Sequence, residues 1–188
     1  MKKSLLALLL AVALATPVFA ADQGAMELDI KAGFNLMSNV DFNSWDADVN
    51  PAFTAGVDFF YYVMPQLAIG AGVQYVFNSE IDKTDGDKAG WTNLYTQAKY
   101  VFDLGDDLFN NIYPLVQVGL GMFRLDPDYD YDLESGLYWG IGVGTTIKEN
   151  FLVELLYSNN KATVKHGPVS NDVKYKTIQL KVGYKFNF

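Results

Sequence analysis

The chain has 188 residues, half of them hydrophobic and 15% aromatic, with 22 acidic side chains against 14 basic ones. An acidic chain repels phosphate backbones, so nucleic acid is excluded as a partner, and the length suits a single domain. No cysteine is present, which rules out a disulfide, a thiolate metal site and a lipoprotein anchor.

The first twenty residues read as a leader, outside the folded domain. Lys2 and Lys3 form a positive start, Leu5 to Ala15 is an apolar run too short to span a bilayer, and Val18-Phe19-Ala20 offers small residues at the −3 and −1 positions. Cleavage after Ala20 leaves residues 21–188 as one domain, with twelve bases against 22 acids and a net charge of −10.

No apolar run in that domain approaches the length of a helical span. The chain alternates instead, which is the period of a strand. Met26, Leu28, Ile30, Ala32, Phe34 and Leu36 share one face, opposite Glu27, Asp29, Lys31, Gly33 and Asn35. Phe53, Ala55, Val57, Phe59 and Tyr61 follow, set against Thr54, Gly56, Asp58 and Phe60, and then Leu67 to Phe77, set against Ala68, Gly70, Gly72 and Gln74. A weaker fourth strand places Leu94, Ala98, Tyr100 and Phe102 opposite Asn93, Gln97 and Lys99. The fifth and sixth alternate bulky residues (Ile112 to Met122, and Leu137 to Ile147) with Gln117 and glycines, and the seventh sets Phe151, Val153, Leu155 and Tyr157 against Glu154 and Ser158. The eighth is the clearest: Ile178, Leu180, Val182, Tyr184, Phe186 and Phe188 alternate with Thr177, Gln179, Lys181, Gly183, Lys185 and Asn187.

The connections alternate as well. Long polar stretches (Met37 to Pro51, Asn78 to Gly90, Arg124 to Ser135, Asn159 to Asp172) are separated by shorter turns at Tyr62 to Pro65, Asp103 to Asn111 and Lys148 to Asn150. The expectation is an all-β fold: a closed antiparallel up-and-down transmembrane β-barrel of eight strands, with long loops on one side and both termini on the other. A soluble barrel is the poorer choice, because the less apolar face of strands three and six is glycine and alanine, which suits a cramped lumen better than a wet surface. Aromatics near the strand ends predict two interfacial girdles, with Tyr61, Tyr62, Tyr100, Phe151, Tyr184 and Phe186 on the turn side and Tyr75, Phe77, Trp91, Trp139 and Tyr157 on the loop side.

The final strand, with Leu180, Val182, Tyr184, Phe186 and the terminal Phe188 at alternate positions, resembles the signal read by the barrel-assembly machinery. With the leader and the loop order, the whole chain resembles the eight-stranded outer-membrane family that includes outer membrane protein X, the opacity proteins and the barrel of outer membrane protein A. That resemblance implies an integral protein of the bacterial outer membrane, exported through the periplasm. It also implies outer-membrane lipid and lipopolysaccharide around the barrel, and the assembly machinery as a partner in biogenesis. Members of this size serve as adhesins, immune-evasion factors, scaffolds or small pores, and fold alone does not choose among them. No peptidoglycan-binding domain is expected after Phe188.

By the face assignment the lumen carries four acids and four bases: Glu27, Asp29, Asp58 and Glu154 with Lys31, Lys99, Lys181 and Lys185. Buried charges need partners, and this set can cancel as a salt-bridged plug. Antiparallel closure of the last strand on the first places Glu27 and Asp29 near Lys185 and Lys181, and Phe60, Tyr95, Phe123 and Tyr138 fill more of the space. A narrow ion or small-solute pore lined by the same charges is the alternative reading.

The loops are the second candidate. Asp126, Asp128, Asp130, Asp132 and Glu134 alternate along one segment, which invites a calcium hypothesis. The spacing fails the EF-hand test, lacking glycine at the sixth position and glutamate at the twelfth, so no metal site and no cofactor are expected. Phe42 and Trp45 in the first loop and Tyr129 and Tyr131 in the third are candidate anchors for an extracellular ligand. The single histidine, His166, lies near Ser170 in a loop. Lipid-modifying barrels need such a pair at the membrane, and nothing local matches those enzymes, so no catalytic residue is assigned. The expected function is non-enzymatic: envelope structure or surface adhesion through acidic extracellular loops, by a monomer.

Overall fold

The computed structural model describes residues 22–42, 45–81, 88–106, 108–126, 132–166 and 169–188; the leader assigned to residues 1–20 lies outside them. The elements are β1 (Met26–Phe42), β2 (Trp45–Val49), β3 (Phe53–Tyr62), β4 (Leu67–Glu80), β5 (Lys88–Tyr100), β6 (Phe102–Asp103), β7 (Phe109–Asp126), β8 (Asp132–Ile147), β9 (Phe151–His166) and β10 (Val169–Asn187). All pairings are antiparallel, the wall runs in the order β1-β3-β4-β5-β7-β8-β9-β10, and β10 pairs back onto β1 to close the sheet. β2 runs along the upper part of β1 as the continuation of β3, and the two-residue β6 pairs only with the base of β7. The wall therefore has eight strands, as the alternation predicts. The closure runs to the last residue, with Phe188 and Met26 exchanging backbone hydrogen bonds of 2.9 and 3.2 Å.

Along the middle of the wall the bulky apolar face points outward. Ile30, Val116, Leu120, Ile141 and Val182 each keep about half of their surface exposed, while Glu27, Asp29, Asp58 and Gln179 are buried inside. This is the inverse of a soluble barrel and matches a lipid solvent.

Nearer the long connections the polarity turns over. Val40, Ala47, Val49, Ile81, Ala89, Ala162 and Val173 point inward and pack with Trp91, Phe123 and Tyr175, while Asp46, Asp48 and Lys161 are exposed. The switch coincides with register shifts between Asn35 and Met37 on β1, Val76 and Ser79 on β4, and Ser135 and Tyr138 on β8. At the first two, consecutive residues both face out (Leu36 with Met37, Phe77 with Asn78), so the following residues alternate in the opposite phase.

This phase change corrects the expectation of long polar loops. Strands continue through much of Met37 to Pro51, Asn78 to Gly90, Arg124 to Ser135 and Asn159 to Asp172, so the loop side is a crown of strand-built hairpins. Arg124 fastens one of them: its Nη2 donates to the Val76 carbonyl at 2.8 Å, its guanidinium lies 4.0 Å from the Tyr75 ring centre, and it also donates to the Thr92 hydroxyl.

Two girdle residues are also corrected. Tyr62 has the parity of Asp58 and Phe60, and Trp91 that of Asn93 and Gln97; both are buried in the lumen.

The short turn between β8 and β9 has positive φ at two residues with side chains, Lys148 (47°) and Glu149 (69°), the left-handed region that glycine adopts most readily. The Asn110 side chain holds it through a 2.7 Å hydrogen bond from the Glu149 amide. Because a side chain in this region costs about 1 kcal/mol, Glu149→Gly is expected to stabilise the barrel by about that amount. The check is the urea midpoint of the heat-modifiable gel shift, and a lower midpoint would show that the turn is not strained.

Candidate functional site

Strand parity delivers the polar side chains to the lumen, where they stack in layers. Nearest the short turns, Lys99 pairs with Glu27, whose other carboxylate oxygen accepts from the Tyr62 hydroxyl at 2.7 Å. The Lys99 ammonium also sits 4.0 Å from the centre of the Phe60 ring and 4.9 Å from that of Tyr113. Phe60, Tyr62, Tyr113, Leu115, Leu152 and Leu156 form an apolar cluster around this pair.

Lys31 is the hub of the next layer. Its ammonium donates to both oxygens of Glu154 at 2.9 and 3.0 Å, pairs with Asp58, and lies 3.9 Å from Asp29. Tyr95 donates to Asp58 at 2.8 Å and Tyr113 to Glu154 at 3.0 Å. Those rings fit because the wall opposite carries glycine: a Cβ on Gly72 would lie 2.7 Å from the Tyr95 ring, and one on Gly144 would lie 2.6 Å from the Tyr113 hydroxyl. Lys31 thus answers three carboxylates and Lys99 a fourth, phenols donate to Glu27, Asp58 and Glu154, and Asp29 keeps only the Lys31 charge close by, with no hydrogen-bond donor.

Above the charges lies a layer of amides. Gln74 donates to Gln179 and Gln117 to Gln97, each at 2.9 Å, and the Tyr138 hydroxyl donates to Gln117 at 2.6 Å. Asn35, Tyr175 and Ser38 continue the chain upward through bonds of 2.6 and 3.0 Å. Trp91 then closes the crown end, stacked on Tyr175 with ring centres 5.8 Å apart and tilted against Phe123 at 4.8 Å. Between Lys31, Gln74, Tyr95 and Lys181 a cavity of about 10 Å³ remains, room for a single water.

Glu27, Asp29, Lys31, Asp58, Lys99, Glu154 and Lys181 are all buried in the lumen, and Lys185 is half-buried at its turn-side mouth. The expected pairing of Glu27 and Asp29 with Lys185 and Lys181 needs correcting. Asp29 and Lys185 are register partners on β1 and β10, but Glu27 pairs with Lys99, and the cation nearest Asp29 is Lys31. Lys185 instead lines a polar cavity of about 440 Å³ with Asp103, Asn110 and Glu149. Adjacency in the ladder did not decide the partners, because long side chains reach across a narrow lumen.

Phe60, Tyr95, Phe123 and Tyr138 are lumenal fillers. Tyr62, Tyr113, Tyr175 and Trp91 are further lumenal groups, and strand parity marks Tyr62, Tyr113 and Trp91 as inward beside Phe60, Gln117 and Asn93. Leu180, Val182, Tyr184, Phe186 and Phe188 form one outward row. Of the loop candidates, Glu134 is exposed on β8 opposite Thr163. Phe42 and Trp45 face each other across the β1–β2 hairpin by register, and Asp126 and Asp132 end and begin β7 and β8; these four side chains lie outside the described set. Asp128, Tyr129, Asp130 and Tyr131 lie wholly outside it, as do the side chains of His166 and Ser170. Among the described residues no three acids or histidines converge as metal ligands.

Removing Lys31 leaves Asp29, Asp58 and Glu154 facing one another without their shared cation. Lys31→Met is therefore expected to cost about 3–5 kcal/mol, and Lys185→Met, at the mouth, less than about 1 kcal/mol. Urea titration of the folded barrel separates the two, and equal losses would contradict this assignment of hub and rim.

A model for the outer membrane protein β-barrel domain matches residues 5–186. Solved structures share the architecture at low identity. OprG from Pseudomonas aeruginosa is 10% identical, covering 91% of this chain and 99% of its own, with a TM-score of 0.52. Neisserial surface protein A is 15% identical, covering 87% and 99%, with a TM-score of 0.55. Ail, the attachment invasion locus protein of Yersinia pestis, is 16% identical over 87% and 99%, with a TM-score of 0.48. No curated protein sequence matches the chain. With its closed eight-stranded wall, apolar outer belt and polar lumen, the chain belongs to the outer membrane protein β-barrel domain family and is an integral protein of the bacterial outer membrane.

Proposed function

We propose that this barrel is a non-enzymatic envelope protein whose working surface is its outer crown, acting in surface interaction or envelope structure. The observation that carries this reading is the filling of the lumen at successive levels, by the Lys99 and Lys31 ion-pair layers, the amide layer and the Trp91–Tyr175–Phe123 plug. A solute crossing it must displace buried ion pairs and then an apolar plug, each costing several kcal/mol. The upper strand segments, by contrast, have an apolar core of their own and lead into the candidate ligand segments 126–134 and 42–45. In this reading lipopolysaccharide surrounds the wall, the C-terminal row from Leu180 to Phe188 serves the assembly machinery, and the protein works as a monomer.

Mature chain refolded into planar bilayers, with its fold checked by heat-modifiable mobility, is expected to be electrically silent, and to remain so with Asp58→Asn or Lys99→Met. A reproducible small conductance altered by either change would put the narrow pore first. Deleting residues 126–134 is expected to leave the barrel folded and reduce cell attachment, while unchanged attachment would remove that segment from the working surface. Lipid A from cells carrying His166→Ala is expected to match wild type, and an altered lipid A would revive a lipid-modifying role.

A further inference from the structure

Among the described residues, Glu27, Asp29, Asp58 and Glu154 are buried in the lumen with Lys31, Lys99 and Lys181, while the remaining lysine of the set, Lys185, stands half-buried at the turn-side mouth beside Asp22, Asp103 and Glu149. Four buried acids therefore face three buried lysines, and a surplus negative charge away from water needs a partner. The hydrogen bonds show where the surplus falls. Glu27 takes Lys99 and the Tyr62 hydroxyl, Asp58 takes Lys31 and the Tyr95 hydroxyl, and Glu154 takes Lys31 and the Tyr113 hydroxyl. Asp29 is only 1% exposed, and neither of its carboxylate oxygens receives a donor.

The neighbours of Asp29 explain why it is left out. Lys31 on its own strand, 3.9 Å away, directs its protons to Glu154 and Asp58. Directly opposite on β3 stands another acid, Asp58, and opposite on β10 stands Lys185, whose side chain lines the mouth cavity instead. Across the lumen Lys99 of β5 is held by Glu27, Tyr113 of β7 and Glu154 of β9 are bonded to each other, and Lys181 of β10 is the ladder partner of Glu154. What remains is Glu27, two residues along the same face, whose carboxyl group lies within hydrogen-bonding reach of that of Asp29. Two ionised carboxylates so placed repel, and neither can donate to the other unless one carries a proton.

We propose that Glu27 and Asp29 share one proton, taken up from water as the barrel folds, with the hydrogen on an Asp29 oxygen and donated to the Glu27 carboxylate. The proton stands in for the lysine that remains at the mouth. It leaves the buried charges at three against three, Glu27, Asp58 and Glu154 with Lys31, Lys99 and Lys181, and it supplies the hydrogen bond that Asp29 otherwise lacks. The site also couples the barrel to pH. In the unfolded chain both carboxyl groups are ionised at neutral pH, so the folded state holds one proton more. Stability from this pair is therefore fully present in acid, at the ordinary carboxylate range, and is lost as the pH rises until the pair gives up its proton. The inference concerns the lumen alone and stands whether or not the crown binds a partner.

The test uses the barrel folded in phosphatidylcholine vesicles. Infrared spectra of wild type at neutral pH are expected to show the carbonyl stretch of a protonated carboxyl group, shifted in heavy water, and Asp29→Asn is expected to remove it. That substitution puts a permanent donor in the place of the proton, so the variant is expected to fold at pH 7 at least as stably as wild type. Urea titrations of the gel shift from pH 5 upward are expected to show the unfolding constant of wild type, relative to that of Asp29→Asn, rising about tenfold per pH unit until the proton is released. Absence of the carboxyl band in wild type would overturn the shared proton, whatever the variant does. A band that survives Asp29→Asn, a variant that fails to fold or is less stable than wild type at pH 7, or a ratio that does not change with pH would overturn it equally.

Discussion

Every backbone donor and acceptor of the wall has to be satisfied within the wall, because hydrocarbon supplies no partner and an orphaned group there costs several kcal/mol. Pairing of β10 with β1 meets that condition and removes both sheet edges. Much else follows from it. Closure with eight strands leaves an interior only wide enough for side chains, and alternation sends every second residue into it. The lumen must then be filled by whatever stands at those positions, and its filling decides whether anything passes.

The filling is built around two buried cations, one of which serves three anions. Lys31 answers Asp58 and Glu154 directly with Asp29 close by, and Lys99 answers Glu27 while resting against Phe60 and Tyr113. Glycines at 72 and 144 remove side chains where Tyr95 and Tyr113 approach the wall, so a missing side chain on one strand positions a hydroxyl from another. Small-large complementarity and charge satisfaction are here one arrangement, and a change to either disturbs both.

The wall meets two solvents, and its polarity follows them. Within the lipid belt the apolar face is outside; above the bulges near Met37 and Asn78 it is inside, where Val40, Ile81, Trp91 and Val173 make a core facing away from water. The boundary between the two regimes is also where the lysines of β9 and β10 gather. Among the described residues, the upper part of the wall carries an apolar core of its own.

The alternation of Met26 to Leu36 and of Ile178 to Phe188, repeated along the chain, was enough to determine strand identity, inward and outward faces and barrel closure, because a period of two has only one reading when one face must meet lipid. It was legible until a bulge placed two consecutive residues on the same face. Beyond Leu36 and Phe77 the same period continued in the opposite phase and read as polar loop. Parity also held the inward placement of Tyr62 and Trp91, which an aromatic-at-the-boundary argument overrode. Only the tertiary structure decided that Glu27 pairs with Lys99 rather than Lys185 and that Lys31 is the hub. Those contacts join residues far apart in the chain across a lumen or a wall, at distances set by strand stagger and side-chain reach. Neither quantity is written in the local pattern of residues.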